Sequence, residues 1–201
     1  MNFDDAVKFH GHACPGLAIG YRVAKFALNE MGLRARDEEL VVIVENDSCA
    51  VDAIQLICGC TFGKGNLIFN DYGKQVYTFI RRPGPEAIRI SVKWSPPPEN
   101  PETEKMWQRY AEGDRSPEVA AAVQDRKARK MQSVLETADA ELFDVKRILV
   151  EMPEPARIHK SLTCGSCGEK VMETRIKTVD GKLLCIPCSE KLEASLASKG
   201  I

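Results

Sequence analysis

The sequence predicts an α+β domain built on a mixed β-sheet flanked by helices, followed by a small treble-clef zinc finger. Three observations carry that prediction. Helix-period and strand-period signals are interleaved without strict β-α-β alternation, as helix, helix, strand, helix, then strands, then helices, then a last strand. The 8 cysteines fall into two groups, Cys14, Cys49, Cys58 and Cys60 early in the chain and Cys164, Cys167, Cys185 and Cys188 near its end. Between the groups, Glu151–Arg157 carries two prolines among alternating charges. Proline fixes φ, removes a donor and biases its neighbour toward extended backbone, so this stretch reads as a linker. The expected organisation is 1–152 as the α+β domain, 153–160 as linker and 161–201 as the finger.

Each element has a local cause. Asn2 caps a short helix to about Phe9, with Asp5 at its third position. Pro15 suits the first turn of a second helix, in which Leu17, Tyr21, Ala24 and Leu28 recur at helical spacing and Gly32 is the stop. Leu40–Glu45 is an apolar, β-branched run and predicts a buried strand. Asp47 or Ser48 is the expected cap of a third helix, which carries Cys49 and Asp52 and ends at Gly59. The glycine-rich loop Cys60–Asn66 follows, then strands over Leu67–Phe69, Gln75–Arg81 and Glu86–Val92. The prolines of Ser95–Pro101 make a rigid loop; Pro101 opens a helix through Trp107 and Tyr110, and Ser116 with Pro117 opens a longer one to about Ala138. Phe143–Val150 reads as the last strand.

Composition excludes several functions. The net charge of −1 argues against a general binder of nucleic acid or of a membrane surface. No apolar stretch approaches the ~18 residues of a membrane span, the best local run being Val41–Val44. Met1–Asp5 lacks the basic start and apolar run of a signal peptide, so a cytoplasmic location is expected. In that reducing compartment cysteines are metal ligands or reactive thiols rather than structural disulfides.

The C-terminal cysteines form Cys164-x-x-Cys167, seventeen residues, Cys185-x-x-Cys188. Two thiolates in one tight turn grip an ion from one side, and a second such turn completes a zinc tetrahedron. Asp180-Gly181 signals a hairpin between the pairs, and Ser189–Ala194 favours helix. A unit of about 40 residues requires such a staple. Its acidic and basic residues nearly cancel, so no nucleic-acid footprint is expected.

The N-terminal cluster is chemically richer. His10-Gly11-His12-Ala13-Cys14 places two of the 3 histidines and a thiol just before a helix, where the dipole and free amides favour thiolate. His12 and Cys14 are expected to converge with Cys60, which stands past a helix end. Cys49 and His10 are alternate ligands, His10 alone being more readily a helix-end residue. Cys58 reads as a small core hydrophobe. Asp52 and Lys64 are the expected orienting groups. Gly59–Asn66 fails as a phosphate loop, because three residues rather than four separate Gly59 from Gly63 and Gly65 stands where Ser or Thr is needed.

Phe9-His10-Gly11-His12-x-Cys14-Pro15-Gly16-Leu17-Ala18-x-Gly20-Tyr21-Arg22, Glu45-x-Asp47-x-Cys49-x-x-Asp52-Ala53-Ile54-Gln55 and Gly59-Cys60-Thr61-x-Gly63-Lys64-Gly65-Asn66 together resemble the signature of the formylmethanofuran dehydrogenase E-subunit family. The resemblance implies a thioredoxin-like, dimeric N-terminal domain with an active site in which His12, Cys14 and Cys60 hold a metal, zinc above all. It implies association with a molybdenum or tungsten formylmethanofuran dehydrogenase-type oxidoreductase. It also implies that some members carry a C-terminal zinc finger.

Three functions are compatible with these residues. The first is a metal-binding protein with one structural zinc and a second zinc on His12, Cys14 and Cys60, where three protein ligands and an open position are the arrangement of a catalytic ion. The second is a thiol redox protein that pairs Cys14 with Cys60 or Cys49. The third is a non-catalytic subunit docking onto a larger oxidoreductase. Whether the chain is itself an enzyme is left open by the sequence.

Overall fold

A computed structural model describes residues 1–197, so residues 198–201 of the expected finger lie outside the described residues. The chain divides into two units, Met1–Ala156 and a second that begins at Arg157.

The first unit opens with α1 (Phe3–His10), held by a reciprocal capping box in which the Asn2 side chain accepts from the Asp5 amide and the Asp5 carboxylate from the Asn2 amide. There follow α2 (Pro15–Met31), β1 (Leu40–Val44), α3 (Ala50–Cys58), β2 (Leu67–Phe69), β3 (Val76–Arg81), β4 (Glu86–Val92), α4 (Pro101–Ala111), α5 (Pro117–Glu136), a single turn α6 (Asp139–Leu142) and β5 (Phe143–Leu149). The sheet order is β2-β1-β3-β4-β5, with β1 and β2 parallel and every other pair antiparallel, so the sheet is mixed.

Strand alternation divides the apolar residues between two faces. Val42, Phe79 and Ile88 lie in register on one face and share a core with Ala24 and Ala27 of α2, Ile54 and Ile57 of α3 and Val134 of α5. Val41, Ile80 and Ala87 lie on the other and pack with Ile148, Val150 and Met152. The chain beyond β5 thus folds against this unit: the Val150 amide donates to Pro85 O at 3.0 Å and the Ala156 amide to Glu38 Oε2 at 3.0 Å. The stretch read as a linker over 153–160 begins as part of the N-terminal unit.

One expected cap is replaced and another is held differently. Cys49, not Asp47 or Ser48, occupies the N-cap of α3, and its side chain makes no cap bond. Asn46 Oδ1 instead collects the Ser48 amide at 3.1 Å and hydroxyl at 2.7 Å. Ser116 is the N-cap of α5, as expected, but its side chain makes no cap bond. The turn is held one step earlier, where Asp114 Oδ1 accepts the Ser116 amide at 2.8 Å. The sequence pattern does not predict α6.

Arg22, the last residue of the first family-like motif, closes α5 at its negative end. Its Nη1 donates to the carbonyls of Val134 and Leu135, each at 2.7 Å, and its Nη2 to Thr137 O at 2.6 Å and Asp139 Oδ1 at 2.7 Å. Arg22→Met keeps the aliphatic stem and orphans these carbonyls. Because charge-assisted bonds contribute about 1.5–3 kcal/mol each and do not add, the expected loss is roughly 3 kcal/mol. It is read as a lower urea midpoint with unchanged m-value.

The second unit contains two hairpins and a helix: β6 (Ser161–Thr163) with β7 (Lys170–Met172), β8 (Ile176–Val179) with β9 (Lys182–Cys185), and α7 (Ile186–Ala197). Asp180 and Gly181, at φ +49° and +75°, form the tight turn between β8 and β9, the twist that two-residue hairpins require. Among the described residues, no helix is long and apolar enough to cross a membrane.

Candidate metal centres

In the second unit the first cysteine pair lies on the loop between β6 and β7. Gly168 takes φ +77° there, and its amide donates back to Cys164 O at 3.0 Å, which curls the turn. Cys185 ends β9 and Cys188 lies in the first turn of α7. The four Sγ atoms lie within 4.8 Å of one another. The Cys185 amide donates to Cys164 Sγ at 3.3 Å. Amide donation from Cys167, Cys185 and Ser166 lowers the Cys164 thiol to about 6, so this ligand is a thiolate at neutral pH. A closed set of four thiolates is the donor set of a structural zinc ion.

In the first unit α1 stops at Gly11, φ +96°, and the chain doubles back into the N-cap of α2. Cys14 fills that cap and its Sγ accepts the Leu17 amide at 3.4 Å. The turn brings the His10 and His12 rings to 4.6 Å and sets His10 Nε2 3.9 Å from Cys14 Sγ. One ligand atom from each of His10, His12 and Cys14 lies within 4.8 Å of the others. His10 is fixed from behind: its Nδ1 meets Asp52 Oδ2, on the first turn of α3, at 2.7 Å. That pairing makes Nδ1 the protonated nitrogen and leaves the Nε2 lone pair directed at the cluster. Cys49 stands beside the ligands rather than among them. A Cβ placed on Gly16 would lie 3.3 Å from Cys49 Cβ, so the bare glycine is what lets the start of α3 approach the start of α2. Burial and then the neighbouring Cys14 push the Cys49 thiol up.

The structure does not bring Cys60 to this group. The nine residues of α3 separate Cys49 from Cys60 by roughly 14 Å of helix rise. Cys60 is fully buried and donates to Leu40 O at 3.2 Å. Burial pushes its thiol up to about 12 against the opposing pull of Lys64, Arg34 and Arg81, so it stays a thiol. Lys64 is also elsewhere, its Nζ donating to the carbonyls of Arg36 at 3.3 Å and Asp37 at 3.1 Å. The glycine-rich loop is organised by Asn66, whose buried amide group donates to Leu40 O at 2.9 Å and Asp37 O at 3.0 Å, while its Oδ1 accepts from Thr61 N at 3.0 Å. Cys58 is a fully buried core residue of α3. Glu45 pairs with Arg89 at 3.2 Å, and Asp47 is exposed to solvent. Of the expected residues, then, His12 and Cys14 come together with the alternate His10, Asp52 reaches the group through His10, Cys49 lies against Gly16 beside it, and Cys60 and Lys64 are elsewhere.

Residues 9–144 match the family described as FmdE, molybdenum formylmethanofuran dehydrogenase operon, and residues 159–194 match the prokaryotic dksA/traR C4-type zinc finger. A protein of Archaeoglobus fulgidus named a probable S-adenosyl-L-methionine-binding protein is 31% identical over 198 residues, covering 92% of this chain and 51% of its own. The chain thus spans about half the length of that relative. The crystal structure of a tungsten formylmethanofuran dehydrogenase FmdE-like protein from Syntrophus aciditrophicus superposes with a TM-score of 0.61 at 21% identity, over 95% of this chain and 94% of that one, a likeness of fold. The first match takes in more than half of the chain, including every residue of the His10–His12–Cys14 cluster with Cys49 and Asp52, and the chain belongs to the FmdE family, with a C4-type zinc finger after the family domain.

Proposed function

We propose that the protein is a two-centre metalloprotein: the finger's four cysteines hold a structural zinc, and His10, His12 and Cys14 hold a second zinc with one position open to a small ligand. The observation that carries the reading is the convergence of two imidazoles and a thiol within 4.8 Å, one imidazole being oriented from behind by Asp52 at 2.7 Å. Ligands around a tetrahedral zinc stand about 3.5 Å apart, so side-chain adjustment alone closes the set. The donor set fits zinc in kind, with nitrogen and sulfur in the first contacts and a carboxylate behind the histidine. His12 is exposed and the other two half-buried, which leaves the open side toward solvent.

When bound, such an ion supplies Lewis acidity to a substrate oxygen or to water. The chain's own residues hold and orient. Cys14 contributes the negative charge, stabilised by the Leu17 amide and the start of α2. Asp52 keeps His10 in the tautomer that ligates. The family to which the chain belongs, and the name of its solved relative, support a role accessory to a formylmethanofuran dehydrogenase-like oxidoreductase.

Metal analysis of the reduced, zinc-loaded protein tests the reading. The wild type is expected to hold two ions per chain. Cys14→Ser and His10→Ala hold one, Cys60→Ser keeps two, and Asp52→Ala binds the second ion about 10–100-fold more weakly. Two ions retained by both Cys14→Ser and His10→Ala would overturn it, as would loss of an ion from Cys60→Ser.

A further inference from the structure

We propose that a further binding site lies where the last turn of α2 meets the β3–β4 turn and the end of β5, and that it takes a small oxyanion, phosphoryl or carboxylate, carried on an apolar body of aromatic size. The cavity there holds about 710 Å³, within the range of small-molecule sites and far more than an inorganic anion fills. It shares no residue with either candidate metal centre.

Strand register builds one wall. Arg147 stands opposite Ile88 and Leu149 opposite Glu86, so these four side chains leave the sheet on the face that packs against α2. Met31, Ile88 and Leu149 supply apolar surface, and Leu149 is 77% exposed. The β3–β4 turn supplies another wall. Its Pro83 and Pro85 have no amide hydrogen, so an anion there is met by guanidinium groups rather than by a string of backbone donors.

Three arginines, Arg81, Arg82 and Arg147, line the cavity against two acids, Glu30 and Glu86. Their charge is incompletely answered. The Arg82 side chain is 18% exposed, and its Nε is buried without a hydrogen-bond acceptor among the described residues. Glu38 Oε2 stands off from Arg82 at 3.9 Å and accepts the Ala156 amide at 3.0 Å instead. A buried guanidinium edge without an acceptor is costly until a ligand or solvent meets it. Arg81 donates to the carbonyls of Met31 and Leu33, which orient its guanidinium without neutralising it. Arg147 pairs with Glu30 on the exposed side, where an ion pair is weak and exchanges readily for a better-placed oxyanion. Planar guanidinium forks match the paired oxygens of phosphoryl and carboxylate groups.

The test titrates the full chain by calorimetry with naphthyl phosphate, naphthoate, neutral naphthol and inorganic phosphate. At least one of the two naphthyl anions is expected to saturate a single site per chain, and the tighter of the two identifies the oxyanion. Naphthol and inorganic phosphate should bind at least about tenfold more weakly, because each lacks one half of what the cavity recognises. Arg82→Met keeps the aliphatic stem, removes the fork and is expected to lower affinity at least about tenfold. Arg147→Ala, on the exposed side, should lower it several-fold and replaces Arg82→Met as the test if that variant melts early. Lys146→Ala removes a positive charge from the same strand outside the cavity and should leave affinity unchanged. The proposal is overturned if neither naphthyl anion saturates a site, if naphthol binds as tightly as they do, if neither arginine variant weakens binding, or if Lys146→Ala weakens it equally.

Discussion

Stripping zinc from the finger is expected to unfold the chain from Arg157 onward while Met1–Ala156 stays folded. Among the described residues, the buried apolar set of the second unit is Cys164, Leu184 and Cys185, supported by partly buried Val171, Val179, Cys188 and Leu192. Two of the three buried residues are ligands, so without the ion only Leu184 is a buried hydrophobe free of that role. The remaining structure is two hairpins with strands of three or four residues and one helix of 12 residues, none of which is stable alone in water. Structural zinc contributes an apparent ~10–16 kcal/mol in such units, more than any other interaction there supplies. Chelation should therefore expose Lys170, Arg175 and Lys177 to trypsin within minutes while a core ending near Ala156 persists, and Cys164→Ser should behave likewise without chelator. Acid gives the same result by a different route. Thiolate ligands must lose their protons to hold the ion, so acid competes with zinc for the four sulfurs and the unit unfolds as pH falls. An unchanged proteolytic pattern after demonstrated zinc removal would show that the apolar contacts suffice.

What could be read from the sequence was what is local. Asn2 with Asp5, Pro15 after Cys14 and the β-branched run at Val41–Val44 each fix an element through contacts a few residues apart, and each element forms where those signals place it. The spacing of the last four cysteines is local in the same sense, since each ligand pair is a single turn. The N-terminal centre is not. Cys60 resembled a ligand because it follows a helix end and escapes regular hydrogen bonding, but that helix is the spacer that carries it away from Cys14. His10 resembled a helix terminus, and it is one; its role as a candidate ligand depends on Asp52, 42 residues away, whose partner no local rule identifies. A usable signal was present in the small residues. Gly16, Gly20 and Ala24 recur every fourth residue along one face of α2, and Cys49, Ala50 and Ala53 stand at the start of α3. Together they specify close approach of those two helix starts, which places Cys49, not Cys60, beside Cys14.

Gly20→Ala is expected to be the most damaging single-methyl substitution in the N-terminal unit. A Cβ at position 20 would stand 2.1 Å from Ala50 O, 2.5 Å from its Cα and 2.6 Å from its carbonyl carbon. These are backbone atoms, so no rotamer relieves the overlap and α2 and α3 must move apart. Two effects of opposite sign compete. Alanine in place of a mid-helix glycine favours α2 by about 0.8–1.0 kcal/mol. Overpacking costs about 1–3 kcal/mol where side chains can yield, and here none can, which places the cost at or above the upper end. The net expectation is a loss of roughly 2 kcal/mol, a fall of about 4–8 °C in melting temperature for a unit of this size. Gly63→Ala is the matched control, since a Cβ there meets nothing within 4 Å, and it should stay within about 0.5 kcal/mol of wild type. A second consequence separates this from generic destabilisation. Ala50 lies between Cys49 and Asp52 in sequence, so the displacement is delivered to the carboxylate that orients His10 and to the thiol beside Cys14. Below its melting transition Gly20→Ala should bind the ion proposed for His10, His12 and Cys14 more weakly while the finger's ion is retained. Unchanged stability would mean that the helices can slide without penalty. Reduced stability with unchanged affinity would mean that the metal ligands are positioned by the 10–14 turn alone, independently of α3. The packing at Gly20 favours neither outcome, because the same backbone contact that excludes a methyl group there sets where α3 begins, and α3 begins with the residues that stand behind and beside the ligands.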